Sequence, residues 1–231
     1  MDGGMAQVAP WLAMLGFGAF HGLNPGMGWL FALSLGLQQR SEKVIWLSLL
    51  PIAAGHALAI ALAAVLVLLG LRFISLGQLQ WLTAFALFLF GLYKLFNFYR
   101  HPRWVGMKVG MGDLFLWSFL MATAHGAGLM VMPALLRMAE QQGMAQDLDL
   151  DIVQHPGAHA DHALAAGGAL WLGVGVHTLA MVAVMGVTAW LVYRKFGLAI
   201  LRSRWINFDL IWAIALMIAA AAAFLAAMGV V

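Results

Sequence analysis

Hydrophobic residues run along the chain in six long blocks, near 8–37, 46–70, 79–97, 113–137, 168–193 and 208–230, and the segments between them hold most of the charge. Each block is long enough to cross a hydrocarbon core, which needs about 20 helical residues. The pattern predicts an all-α, polytopic membrane protein with six transmembrane helices. The opening stretch, MDGGMAQVAPW, has no Lys or Arg ahead of the first block, and that block is too long for the core of a signal peptide. It reads as a retained first span.

Composition sharpens this reading. Of 231 residues, 64% are hydrophobic and 9% charged, and the mean hydropathy is +0.93. Soluble domains run at about 45–50% apolar and about 25% charged. A water-soluble globule is excluded, and so are a disordered chain and a collagen-like one. The absence of cysteine excludes a disulfide scaffold. The residues 1–231 read as a single transmembrane domain.

The net charge of +3 would suggest nucleic acid in a soluble protein, but here the basic residues sit in short loops and set orientation. Arg40 and Lys43 follow the first span, Lys94, Arg100, Arg103 and Lys108 the third, and Arg194, Lys195, Arg202 and Arg204 the fifth. The other side holds only Arg72 and Arg137. Ten against two predicts both termini outside, away from the cytoplasm. Asp113 and Asp209, which open spans four and six, read as helix caps.

The blocks also repeat. GAFHGLNPGMG around His21 in span one has a counterpart in ATAHGAGLM around His125 in span four, and GHALAI around His56 in span two has one in VHTLAM around His177 in span five. An odd number of spans separates the copies, so the second enters the membrane from the opposite side. Repeat one (8–97) and repeat two (113–230) are therefore predicted to be inverted three-helix repeats. At about 1.5 Å per residue, His21 and His125 lie about 18–20 Å into their spans and His56 and His177 about 13–15 Å. All four should converge near the midplane.

A lone histidine in a membrane helix is often an interhelical hydrogen-bonder. Four at matched depth in matched motifs point instead to a transition-metal or proton site, because a buried imidazole stays neutral and neutral imidazole is the metal-binding form. Gly22, Pro25, Gly26 and Gly28, like Gly126 and Gly128, should break spans one and four at that depth and free backbone groups to line a cavity. Gly173 and Gly175 are candidates for close helix packing. Asn24, three residues past His21, can ligate an ion or hold the imidazole. The methionines near this zone, Met27, Met121, Met130, Met132, Met181 and Met185, read mainly as apolar filler, although a thioether suits a soft ion such as Cu(I). The tryptophans read mainly as interfacial anchors.

The segment 138–167 differs in composition. It carries Asp147, Asp149 and Asp151, then His155, His159 and His162 in HPGAHADH, and reads as an acidic, histidine-rich outer loop that gathers divalent cations weakly or is simply a solvated connection.

The HGLNPG run in span one, the Gly-His pair in span two and six spans in inverted halves resemble the lysine-exporter superfamily, and within it the nickel/cobalt permease branch. That branch carries the motif H-x-x-D-x-D-H. His21 matches its first histidine, while Asn24 and Gly26 stand where the branch has aspartates and Met27 where it has the last histidine. HGLNPGMGWLFA and WSFLMATAHGAGLM also resemble a bacterial membrane family sometimes labelled an arginine/ornithine antiporter. The resemblance implies a multi-pass protein of the bacterial inner membrane, and the charge count predicts that its termini are periplasmic.

The reading these features favour is a secondary transporter moving a transition-metal cation through His21, His56, His125 and His177, with Asn24 assisting and no catalytic residue. Two other classes stay open. One is an integral-membrane protein or enzyme subunit holding a metal or a haem on paired histidines. The other is an amino-acid exporter that binds a substrate carboxylate at broken helix ends. The expected partners are the lipid bilayer and the cation or small molecule carried, with no nucleic acid. A homo-oligomer and a place in a larger complex both remain open.

Overall fold

The computed structural model describes residues 2–97, 110–142, 159–195 and 208–229, and every regular element in them is helical. The helices are α1 (Asp2–Leu23), α2 (Trp29–Gln39), α3 (Glu42–Gly70), α4 (Leu76–Asn97), α5 (Met111–Ala124), α6 (Ala127–Gln141), α7 (His159–Lys195) and α8 (Phe208–Ala227). Four of these segments, Glu42–Gly70, Leu76–Phe96, Gly167–Lys195 and Leu210–Ala227, are long and apolar enough to cross a membrane. The α5–α6 pair, bent by 68°, adds a fifth if it is one span.

The surface agrees with a lipid solvent. On α3, Leu50 and Leu66 are 66% and 61% exposed, although Ile52 and Ile60 of the same helix are wholly buried. A helix that is apolar on both its inner and outer faces has no side that prefers water. The chain is a membrane protein.

The first and fourth hydrophobic blocks are not straight helices. α1 ends at Leu23, a 3-10 turn spans Pro25–Met27, and Gly28 turns the chain at φ 124° before α2 begins. In the second break α5 stops at Ala124 and Gly126 takes φ 71°. Both positive values lie where a side chain would be strained, which is why glycine stands there. The breaks fall where the glycine and proline pattern places them.

Packing is set by small residues. A Cβ on Gly18 of α1 would strike the His177 carbonyl oxygen, and one on Gly22 would lie 2.5 Å from the Met181 carbonyl, so α1 runs close against α7. Gly55 does the same for α3, where a Cβ would strike the Phe115 carbonyl of α5. Close backbone approach through small residues is the usual means of association where lipid offers no hydrophobic drive. α7 also packs against α3, and α4 pairs with α8. Gly173 meets Met138 and Met14, as a packing glycine should, but nothing lies within 4 Å of a Cβ on Gly175.

Two local expectations change. Asp113 is not the cap residue itself: it stands three positions inside α5, and its Oδ2 accepts the Gly110 N–H at 2.8 Å. The connection expected over 138–167 is shorter, because α6 continues to Gln141 and α7 starts at His159. The alanine-rich run from His159 to Ala166 has high helix propensity and extends the helix. His159 and His162 are therefore helical, while Asp147, Asp149, Asp151 and His155 lie outside the described residues, as do Arg100, Arg103, Lys108, Arg202 and Arg204.

Candidate metal centre

Three helices present buried stripes with the three- and four-residue spacing of an inward face. α1 buries Pro10, Met14, Gly18 and His21, α3 buries Leu49, Ile52, His56 and Ile60, and α7 buries Leu170, Val174, His177 and Met181. The histidines are thus core positions of their helices. Since α1 and α3 both pack on α7, the three imidazoles meet, each with 0% of its surface exposed.

Backbone carbonyls fix two of the rings. His21 Nδ1–H donates to the Phe17 carbonyl at 2.6 Å, one turn back on its own helix. His177 Nδ1–H donates to the Met14 carbonyl of α1 at 3.1 Å. Holding Nδ1–H in this way leaves Nε2 as the bare nitrogen of each neutral ring, the arrangement common in metal-binding histidines. His56 Nε2 and His177 Nε2 stand 3.3 Å apart. One ring nitrogen from each of His21, His56 and His177 lies within 4.8 Å of the others. These three are the only such metal-distance group among the described residues.

Two nitrogens of the cluster, His21 Nε2 and His56 Nδ1, are buried and have no hydrogen-bond partner. A buried polar atom left unsatisfied costs about 1–3 kcal/mol. A cation bound to the His21 lone pair would offset that cost. The two Nε2 atoms are also close enough to share one ion, since imidazole nitrogens on a metal with bonds of about 2.0–2.1 Å stand from about 3.3 Å apart in a tetrahedral shell to about 4.2 Å apart in a linear one.

The fourth expected ligand, His125, is not part of this group. α1 continues two residues beyond His21, but α5 ends one residue before His125, so the matched motifs sit differently on their breaks. His125 Nδ1–H donates to the Met121 carbonyl at 2.9 Å, and its ring meets the edge of Trp212 at 5.7 Å. Asn24 also has another task. Its Oδ1 accepts the Gly26 N–H at 2.9 Å and caps the turn after α1, so it shapes the break.

Trp212 is the residue the sequence pattern does not mark. It is buried to 1% exposure, its ring stands 4.6 Å from His21, and its Nε1–H donates to the His125 carbonyl at 2.6 Å. Trp29 does the same at the other break, donating to the Leu23 carbonyl at 3.2 Å. Carbonyls at a helix end lack intrahelical partners, and in lipid an indole N–H is one of few donors available. These two tryptophans are not interfacial anchors. Their signal is position: each follows a broken span or enters the core near one.

The geometry also bears on haem. His21 stands at nearly equal distances from the other two rings, 5.2 Å from His56 and 4.9 Å from His177 between centroids. A porphyrin with those two as axial ligands would have to lie in the plane midway between them, which His21 occupies. Comparison with protein-family models, curated proteins and solved structures finds no match to this chain, so its chemistry is read from this centre alone.

Proposed function

We propose that the chain is a six-span secondary transporter of a transition-metal cation, which passes through His21, His56 and His177. The carrying observation is the buried triad with one bare, unpartnered nitrogen on His21. The cation is the cargo, and the ligands are neutral imidazoles on three separate helices, so a small relative movement of α1, α3 and α7 would open the shell.

Inverted repeats are part of this reading, and helix packing supports them. α1 of the first half packs on α7 of the second, and α5 of the second packs on α3 of the first, the reciprocal pairing that a two-fold exchange of halves requires. Both halves begin with a broken helix. We place the chain in the bacterial inner membrane with both termini outside, on the basic asymmetry of its loops. The likeness to the lysine-exporter superfamily and its nickel/cobalt branch belongs to the same proposal.

The test is uptake into proteoliposomes together with the metal content of the purified chain. The expected result is about one ion per chain, with both ion and uptake lost in His56→Ala. Equal metal content in wild type and His56→Ala would reject the reading.

A further inference from the structure

The direction of the imidazoles says more than their spacing. The rings of His56 and His177 are parallel to within 1°, with centroids 5.5 Å apart and Nε2 atoms 3.3 Å apart. The nitrogens are about 2.2 Å closer than the centroids. That is the difference two five-membered rings give when they meet vertex to vertex. The two Nε2 positions therefore aim at each other along one line, that of the Nε2–H···Nε2 hydrogen bond between them, and an ion that takes the place of the bridging proton on this line leaves both ring orientations as they are. His21 comes in from the side, about equally far from both.

A tetrahedral ion does not sit on such a line. To serve one, each ring would have to swing by about 35° so that its nitrogen pointed off the axis. Linear coordination needs only separation along the line, to about 4 Å for bonds of about 2 Å. His21 would then complete a T-shaped or trigonal set. Low coordination of this kind is the habit of monovalent d10 ions, not of zinc, nickel or cobalt.

Charge points the same way. The triad is neutral, and the chain has no cysteine to supply a thiolate. Glu42, Asp113 and Glu140 are the carboxylates whose side chains are described, and each is engaged elsewhere, with Arg194, the Gly110 N–H and Arg137 respectively. Burying an ion without a counter-charge is expensive, and in a continuum picture the expense grows with the square of the charge, so a monovalent ion costs about a quarter as much as a divalent one of equal size. Neutral imidazole is a ligand that copper accepts without a counter-charge from the protein.

We infer that the cation held by His21, His56 and His177 is a soft monovalent one, Cu(I), bound in linear to T-shaped geometry between His56 and His177. This rests on the transport reading of the same centre and names its substrate class.

The experiment is a binding competition on the purified full chain, with Cu(I) under reductant, Ag(I) as a redox-inert probe, and Zn(II), Ni(II) and Co(II). Wild type should bind Ag(I) and Cu(I) at one per chain and roughly a hundredfold more tightly than any of the divalent ions. His56→Met, which exchanges an imidazole for a thioether, should keep Ag(I) affinity within about tenfold. X-ray absorption of bound copper should give two or three imidazole nitrogens at short distance. Tighter binding of a divalent ion that His56→Ala abolishes would overturn the monovalent assignment and leave the transporter reading standing. If no ion of either charge depends on His56, the transporter reading fails as well.

Discussion

His56 and His177 face each other nitrogen to nitrogen across 3.3 Å, though 121 residues separate them in sequence. Because His177 already donates its Nδ1–H to Met14, its Nε2 can only accept, and His56 must be the donor of the pair. His56 Nδ1 then carries a bare lone pair, and it has no partner. A cation bound between the rings, as proposed above, would displace the His56 Nε2 proton, and the unpartnered Nδ1 of His56 is the place to receive it.

This gives the first prediction. In ¹⁵N spectra of histidine-labelled protein, Ag(I) should switch His56 from the Nε2–H to the Nδ1–H tautomer. His21 and His177 should keep Nδ1–H throughout. A switch at His177 would contradict the hydrogen bond to Met14.

The second prediction separates three histidines from the fourth. His21→Ala, His56→Ala and His177→Ala should each lower bound metal by roughly tenfold or more, and combining two should cost less than the sum, as for groups sharing one partner. His125→Ala should leave metal content within about twofold. It should instead lower stability by about 1 kcal/mol, the usual worth of a hydrogen bond such as the one to Met121. Metal analysis and thermal melting of the four variants decide this. Equal metal loss at His125 would restore the four-ligand site.

Much of this was legible in the chain because the signals were local. The breaks follow from glycines and a proline whose conformational demands hold in any context, and His21, His56 and His177 follow from recurring motifs. What could not be read depended on where a helix stops. His21 and His125 sit in matching motifs, yet a difference of a few residues between them and their helix ends brings one into the group of three imidazoles and leaves the other outside it, beside Trp212. The carbonyls of Phe17 and Met14, which fix the tautomers, have no side-chain signature at all. Trp212 stands only five residues into the last block, where an interfacial anchor would also stand.

The third prediction tests the close approaches that bring the rings together. Gly18→Ala presses a Cβ on the His177 carbonyl and Gly55→Ala presses one on the Phe115 carbonyl, both backbone atoms that cannot move aside alone. Each should cost about 1–3 kcal/mol, as overpacking does. Gly18→Ala should also weaken metal binding, because it shifts α1 against the helix that carries His177. Gly175→Ala meets open space inside α7, so it should leave metal content unchanged and raise stability by about 0.5–1 kcal/mol, the usual helix-propensity gain of alanine over glycine.

The last prediction concerns which ends of the helices share a side of the membrane. Glu42, at the start of α3, accepts Arg194 Nε at 2.9 Å and Trp190 Nε1 at 3.1 Å from the end of α7. Lys43 and Lys195 must therefore lie on one face. His159, at the far end of a 37-residue helix, lies about 54 Å away along the axis, more than a hydrocarbon core of about 30 Å can hide. With no native cysteine, single substitutions can be labelled without background. An impermeant thiol reagent added to intact cells should modify His159→Cys and spare both Lys43→Cys and Lys195→Cys, since basic ends stay in the cytoplasm. Modification of Lys43→Cys and Lys195→Cys with protection of His159→Cys would reverse the orientation but keep the fold. Opposite behaviour of Lys43→Cys and Lys195→Cys would contradict the Glu42–Arg194 contact itself.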